Sequence, residues 1–199
     1  MDNSIHRYFM INKPYDMVSQ FISPHKVRLL GELNFIFPAG IHAIGRLDRL
    51  SEGLLLLTTN KQITSLLFQS HLPHTRKYLV HVKKEVSTET LEQLRGGVSI
   101  LIADGKKYIT SACNVNIIDP TDTLRNMKQL TDYGRSTWLQ IDLREGKYHQ
   151  VRKMVAAVRH KCIRLIRIAI EEMYLGDLKP GEVLEIEEKV FFKQLKLDK

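Results

Sequence analysis

Four consecutive leucines, Leu54 to Leu57, constrain the fold of this chain more than any other feature. The run is too short for a helix of its own, and it lacks the alternation of a strand with one face in water. It therefore predicts a strand that is buried on both sides, inside a sheet with covering elements. The chain has 199 residues, 43% of them hydrophobic, which is enough to bury such a core.

The segment that leads into this strand contains the first candidate for chemistry. It reads G-R-L-D-R-L-S-E-G from Gly45 to Gly53, so that Asp48 lies between two arginines. Ser51 and Gly53 are residue types suited to a turn. Taken alone, an aspartate beside arginines is more often a solvated salt bridge than a catalytic group.

Hydrophobic spacing predicts the other elements. One helix is predicted after Asn60, with Ile63, Leu66 and Leu67 facing inward. A second begins after Ser87 and ends at Gly96-Gly97, and a third covers 148–159. Strands are predicted at 7–12, 77–83, 98–102, 107–118, 137–143, 161–168, 183–187 and 190–195, with a loop at 119–136. This pattern predicts an α+β fold with a mixed, mostly antiparallel sheet and a few flanking helices.

Charge points to a polyanionic partner. The formal net charge is +8, and residues 142–167 contain eight basic and two acidic side chains, whereas residues 171–188 are mainly acidic. Charge alone does not separate nucleic acid from an acidic membrane surface. A localised basic stripe favours a defined RNA footprint.

Other features of the sequence bear on where the protein is located and on which ligands it could bind. The amino terminus lacks the apolar core of a signal peptide and no run has transmembrane length, so we expect a cytoplasmic protein without a membrane partner. Cys113 and Cys162 are expected to be reduced thiols. The eight histidines lack metal-ligand spacing, and there is no glycine-rich phosphate loop.

Five segments together resemble the RNA pseudouridine synthases. They are the G-R-L-D segment, Asn12 to Tyr15, Arg76 to Val80, Glu145 to Lys147 with Gln150 to Met154, and Arg164 to Arg167. The resemblance covers nearly the full chain. It is closest to the branch that modifies single uridines in ribosomal RNA, and within it to the E-type group, which acts on 23S RNA of the large subunit. It implies one catalytic domain over residues 1–199, with two subdomains, a central catalytic cleft and no separate RNA-binding domain.

The resemblance also implies roles for individual residues. Asp48 corresponds to the catalytic carboxylate, which either attacks ribose C1′ or takes a ribose proton; both routes remain open. Arg152 corresponds to the arginine that keeps Asp48 charged, and Tyr78 to the tyrosine that packs on the flipped base. Leu165 corresponds to an apolar residue that lines the pocket. The remaining substrate-binding candidates are Lys13, Arg46, Arg76, Lys153 and Arg167. No cofactor and no metal are required.

Two departures from the branch affect the expected RNA contacts. Arg76 replaces a more usual lysine. Tyr148-His149 replaces a more usual Asn-Arg pair and resembles the sequence found in a sister branch of the pseudouridine synthases. Two alternatives therefore stay open: a non-enzymatic RNA-binding or ribosome-assembly factor, and the same reaction on transfer RNA or 16S RNA. We expect a monomer.

Overall fold

The chain divides into two compact units. The computed structural model describes residues 6–68, 73–102, 105–119 and 134–197. Unit 1 consists of Met1–Arg76 and Ile166–Lys199, and unit 2 of Lys77–Leu165. Most of the predicted loop at 119–136 lies outside the described residues. The assignment of residues 1–199 to one catalytic domain stays a prediction.

Strands predominate in the described part of the chain. They are β1 (Tyr8–Lys13), β2 (His42–Ile44), β3 (Glu52–Thr58), β4 (Arg76–Lys83), β5 (Ser99–Leu101), β6 (Lys107–Ile109), β7 (Asn114–Ile118), β8 (Ser136–Leu143), β9 (Cys162–Ile170), β10 (Met173–Tyr174) and β11 (Val183–Ile186). The helices are α1 (Ile63–Phe68), α2 (Thr88–Gly96), α3 (Gln150–Ala157) and α4 (Glu188–Leu195), with a 3₁₀ turn at Leu30–Glu32. The boundary between the units falls within β4 and β9. The α+β class is confirmed.

Strand β3 is the centre of unit 1, as the leucine run predicts. All of its residues are buried. It pairs antiparallel with β1 and β2, and parallel with β9 at Glu52 and Gly53. Strand β11 extends the sheet beyond β1. The ring of Tyr8 packs against Phe191 and Phe192 of α4, with centroid distances of 4.6 and 5.7 Å.

Unit 2 has its own core. Strands β4, β8 and β7 are neighbours in that order, and β5 pairs with β6 in a separate hairpin. Helix α2 begins as predicted, with the Ser87 side chain accepting a hydrogen bond from the Thr90 N–H. The hydrophobic core of unit 2 consists of fifteen buried residues, namely Val80, Val82, Val86, Leu91, Leu94, Val98, Ile100, Val115, Leu139, Ile141, Leu143, Val151, Met154, Val155 and Leu165. We call this set the unit 2 core.

Three of the predicted elements are wrong in part. Segment 190–195 was expected to be a strand but lies in α4, because the buried Phe191, Phe192 and Leu195 recur with helical spacing. The strand expected over 107–118 is split into β6 and β7, and between them Thr110 Oγ accepts a hydrogen bond from the Val98 N–H at 3.0 Å. Leu66 of α1 is 41% exposed and does not face inward.

Two further expectations were that the cysteines are reduced thiols and that no segment spans a membrane. Cys113 and Cys162 are free, partly buried thiols. None of the helices in the described ranges combines the length and the apolar character that crossing a bilayer requires.

Gly53 lies inside β3 and not in a turn, which corrects the expectation from sequence. Its φ is +98°, and a Cβ atom at this position would lie 2.3 Å from the Arg167 carbonyl oxygen on β9. The parallel pairing of β3 with β9 therefore depends on the missing side chain.

We expect Gly53→Ala to destabilise the fold strongly. Alanine at positive φ costs about 1–2 kcal/mol, and forcing β9 away adds about 1–3 kcal/mol of overpacking. Gly40→Ala is the matched control, since Gly40 also has a positive φ of +77° but has no atom within 4 Å of the added Cβ. Urea unfolding should show a larger loss for Gly53→Ala, and equal losses would contradict the close approach of β9.

Candidate active site

Asp48 lies in the loop that joins β2 to β3. The loop ends in a turn, in which the Asp48 carbonyl oxygen accepts a hydrogen bond from the Ser51 N–H at 2.9 Å. Asp48 is partly buried, whereas Arg46 and Arg49 are exposed. Leu47, directly before Asp48, is buried. The carboxylate is thus carried on a short loop between two strands of unit 1.

A buried serine holds the residue that precedes Asp48. Ser19 Oγ donates to the Leu47 carbonyl oxygen at 2.9 Å and accepts from the Leu47 N–H at 3.0 Å. Ser19 is itself buried. Both backbone polar groups of Leu47 are therefore satisfied by one side chain, and rotation of the backbone at Leu47 would break both bonds.

A buried lysine holds the residue that follows Asp48. Lys13, the last residue of β1, has no exposed surface. Its ammonium donates to the carbonyl oxygens of Pro14 at 2.8 Å, Met17 at 2.6 Å and Arg49 at 3.3 Å. Burial lowers the pKa of Lys13 to about 8, although the negative charges of Glu52, Asp48 and Asp16 oppose this shift. Direct contact of Lys13 with RNA stays a prediction; in this structure the ammonium supports the Asp48 loop.

The other predicted arginines of unit 1 occupy different environments. Arg167 on β9 is buried, and its Nε donates to the Leu54 carbonyl oxygen on β3 at 2.8 Å. Arg46 is exposed in the Asp48 loop, and Arg76 at the start of β4 is partly buried. Arg46 is thus the accessible cation of the three, whereas Arg167 reinforces the parallel strand pair.

Unit 2 contains the remaining predicted residues. Tyr78 on β4 is partly buried and packs against the unit 2 core, which includes Leu165. Arg152 and Lys153 are partly buried on α3. Burial raises the pKa of the nearby Cys162 thiol to about 11, and the positive charge of Arg152 opposes that shift. The approach of Tyr78, Arg152, Lys153 and Leu165 to Asp48 stays a prediction.

The loop before α3 is fixed by a hydrogen-bond network around Glu145. This carboxylate accepts from the Tyr108 hydroxyl, from the Ser111 N–H at 3.0 Å and from Gln150 Nε2 at 2.6 Å. Gln150 Oε1 in turn accepts from the Lys147 N–H at 2.8 Å. Burial alone would raise the pKa of Glu145, but the hydrogen bonds outweigh it and the net shift is downward.

Sequence reasoning did not identify the supporting residues Ser19 and Glu145. Ser19 carries no local signal, because a single serine has many possible backbone partners. Glu145 and Gln150 stand in segments that resemble the family, but their partners Tyr108 and Ser111 are distant in sequence. In the part of the chain that the structure describes, no group of three or more His, Cys, Asp or Glu side chains is placed to hold a metal ion.

Comparisons with known proteins agree with the resemblance. The sequence model of the family described as RNA pseudouridylate synthase matches residues 7–157. A ribosomal large subunit pseudouridine synthase E from Vibrio parahaemolyticus is 35% identical over 91% of this chain and 74% of its own length. A protein of the same name from Xanthomonas campestris is 36% identical over 87% of this chain and 91% of its own length.

Two further comparisons cover small-subunit relatives and structure. A ribosomal small subunit pseudouridine synthase A from Escherichia coli is 30% identical over 92% of this chain and 71% of its own length. A crystal structure of a pseudouridylate synthase matches with a TM-score of 0.77 and 25% identity, over 96% of this chain and 74% of that one. The chain belongs to the RNA pseudouridine synthase family, and the predicted enzyme class, an isomerase, is confirmed.

We expect Ser19→Ala to reduce turnover without weakening RNA binding. The substitution leaves the Leu47 N–H and carbonyl without the serine partner, and small displacements of a reacting group can cost up to about 100-fold in rate. Steady-state kinetics should show a kcat lowered about 10- to 100-fold. Ser23→Ala removes a serine that accepts from the His25 N–H in an exposed loop and is the matched control. An unchanged kcat for Ser19→Ala would contradict the positioning role.

The buried ammonium of Lys13 should make stability depend on pH. Its pKa in the folded protein, about 8, lies below the ordinary 10.5, so the unfolded chain binds more protons between these values. Stability of the wild type should therefore rise from about pH 8 towards pH 10.5 relative to Lys13→Met, by at most about 3 kcal/mol.

Urea unfolding of both proteins at pH 7, 8, 9 and 10 measures this difference. Lys26→Met removes the same charge from an exposed site and supplies the background to subtract. A difference between wild type and Lys13→Met that does not change over this range would contradict the lowered pKa.

Proposed function

We propose that this chain isomerises a specific uridine of 23S ribosomal RNA to pseudouridine, with Asp48 as the catalytic carboxylate. The observation that supports the proposal most is that the backbone on both sides of Asp48 is held in place. The residues on either side of it, Leu47 and Arg49, are bound through their backbone by buried side chains of Ser19 and Lys13. Such a loop holds a carboxylate in a fixed place, which catalysis by a single group requires.

The reaction needs no outside atoms except protons. The bond between uracil N1 and ribose C1′ breaks, the base turns, C5 bonds to C1′, the C5 proton is lost and N1 gains a proton. Asp48 either attacks C1′ or takes a ribose proton to begin the exchange. Tyr78 packs on the base and assists proton removal from C5, Arg152 keeps Asp48 charged, and Leu165 lines the pocket.

Basic side chains hold the RNA in this proposal. Arg46 is exposed in the Asp48 loop, and Lys153 is partly exposed on α3. We assign these two to phosphate contacts, which offset the few kcal/mol that base flipping costs. Lys13 and Arg167 are buried and act through the backbone of the Asp48 loop and of β3. Arg76, the first residue of β4, is the remaining substrate-binding residue in this proposal.

The names of the relatives support the choice of RNA. Relatives from Vibrio and Xanthomonas are named for the large ribosomal subunit and are more similar to this chain than the Escherichia coli relative named for the small subunit. We therefore propose large-subunit RNA as the substrate. We also propose a cytoplasmic, monomeric enzyme, as expected from the sequence. Mapping pseudouridines in ribosomal and transfer RNA of a strain that lacks the gene tests this choice, and a missing pseudouridine outside 23S RNA would overturn it.

Tritium release from ribosomal RNA labelled at uridine C5 tests the role of Asp48. We expect turnover by the wild type and a loss of at least about 100-fold for Asp48→Asn, with RNA binding retained. Asp16→Asn is the matched control. The negative charges of Asp16 and Asp48 both act on Lys13, so this variant also removes one negative charge near Lys13. Turnover by Asp48→Asn would contradict the proposal, and RNA binding without turnover in any variant would indicate a non-enzymatic assembly factor.

A further inference from the structure

The loop before α3 displays a pair of aromatic rings, next to Lys153 of α3, that has no role in the proposed chemistry. Tyr148 is 70% exposed, although tyrosine normally buries most of its ring. The rings of Tyr148 and His149 stack with centroids 3.9 Å apart and planes inclined by 19°. Lys153 Nζ lies over the Tyr148 ring, 5.2 Å from its centroid. Lys147, Tyr148, His149 and Lys153 together form what we call the stacking platform.

The backbone beneath the platform is held in place. Glu145 and Gln150 bind the two ends of the loop through the hydrogen bonds described above, and Lys147 Nζ lies 4.8 Å from the centroid of the Tyr108 ring. His149 adopts a left-handed conformation with φ of 55°. The aromatic pair is therefore presented by a rigid loop.

The chemistry of the platform fits an unpaired nucleobase. Nucleobases stack on exposed aromatic rings irrespective of sequence, and neighbouring lysines pair with the adjacent phosphates. A base over the Tyr148 ring takes the place of the Lys153 ammonium, which is then free to reach a phosphate. A single exposed tyrosine needs no explanation. A stacked pair of rings with the Lys153 ammonium over one of them, on a loop that hydrogen bonds hold in place, does need one.

We propose that the stacking platform binds one unpaired base of the RNA substrate, outside the pocket for the target uridine. The inference rests on the proposed RNA substrate and adds Tyr148 and His149 to the residues that the family resemblance assigns to RNA binding. The platform thereby gives this chain a determinant of affinity and of target choice.

Binding of a naked in vitro transcript of 23S RNA tests the proposal, with wild type, Tyr148→Ala and Tyr148→Phe. Loss of the ring should weaken binding about 5- to 140-fold, whereas phenylalanine keeps the ring and should bind within about twofold of wild type. Tyr174→Ala is the control, because Tyr174 is also an exposed tyrosine, on β10 of unit 1. Circular dichroism melts confirm that each variant folds.

Salt dependence separates stacking from charge. Tyr148→Ala should leave the slope of log Kd against log salt unchanged, and Lys153→Gln should reduce it by about one. The proposal is overturned if Tyr148→Ala binds like wild type or no worse than Tyr174→Ala, or if Tyr148→Phe is as weak as Tyr148→Ala. A loss confined to ribosomal particles, with binding of the naked transcript unchanged, also overturns it, since it indicates a protein partner.

Turnover measured on the same samples distinguishes this inference from the proposed function. We expect Tyr148→Ala to raise KM with kcat nearly unchanged, because the platform binds ground state and transition state alike. Weaker binding by Tyr148→Ala with no turnover even by wild type supports the platform and refutes the proposed function. Turnover by wild type with unchanged binding and KM for Tyr148→Ala refutes the platform alone.

Discussion

The structure of unit 1 around Asp48 depends on one buried cation. The Lys13 ammonium has no exposed surface and gives its hydrogen bonds to three backbone carbonyl oxygens, one of which belongs to Arg49. An ammonium in such a place loses its hydration, and its pKa falls to about 8 for that reason. Hydrogen bonds and the negative charges of Glu52, Asp48 and Asp16 offset part of this cost. The position of the Asp48 loop is therefore coupled to the end of β1.

The strands next to this loop are held by backbone contacts as well. Gly53 lets β9 approach β3, and the Arg167 guanidinium then bonds the Leu54 carbonyl oxygen. In unit 2 the corresponding support is Glu145, which fixes the loop ahead of Arg152 and Lys153. In unit 1 a buried lysine binds the backbone of the loop that carries Asp48. In unit 2 the loop before α3 is held through Glu145, which binds Tyr108, Ser111 and Gln150, and through Gln150, which binds the Lys147 N–H.

Local patterns in the sequence predicted the elements that follow one simple period. The leucine run gave β3, and the serine cap with the Gly96-Gly97 pair gave α2. Prediction failed where contacts between distant residues determine the secondary structure. Val190, Phe191 and Phe192 favour a strand, so the sequence of α4 resembles one. The segment is helical because Phe191, Phe192 and Leu195 are then buried on one face. Lys13 stood out through resemblance, but its burial could not be foreseen, and the partners of Ser19 and Gly53 are distant in sequence.

Native-state hydrogen exchange at the amides of Leu47 and Ser51 tests this account most directly. These amides donate to Ser19 Oγ and to the Asp48 carbonyl oxygen, so they report on the backbone on both sides of the proposed catalytic carboxylate. If buried side chains hold the loop, both amides should be protected with opening free energies close to those of the β3 amides. Exchange as fast as in an unstructured peptide, while β3 stays protected, would contradict the account.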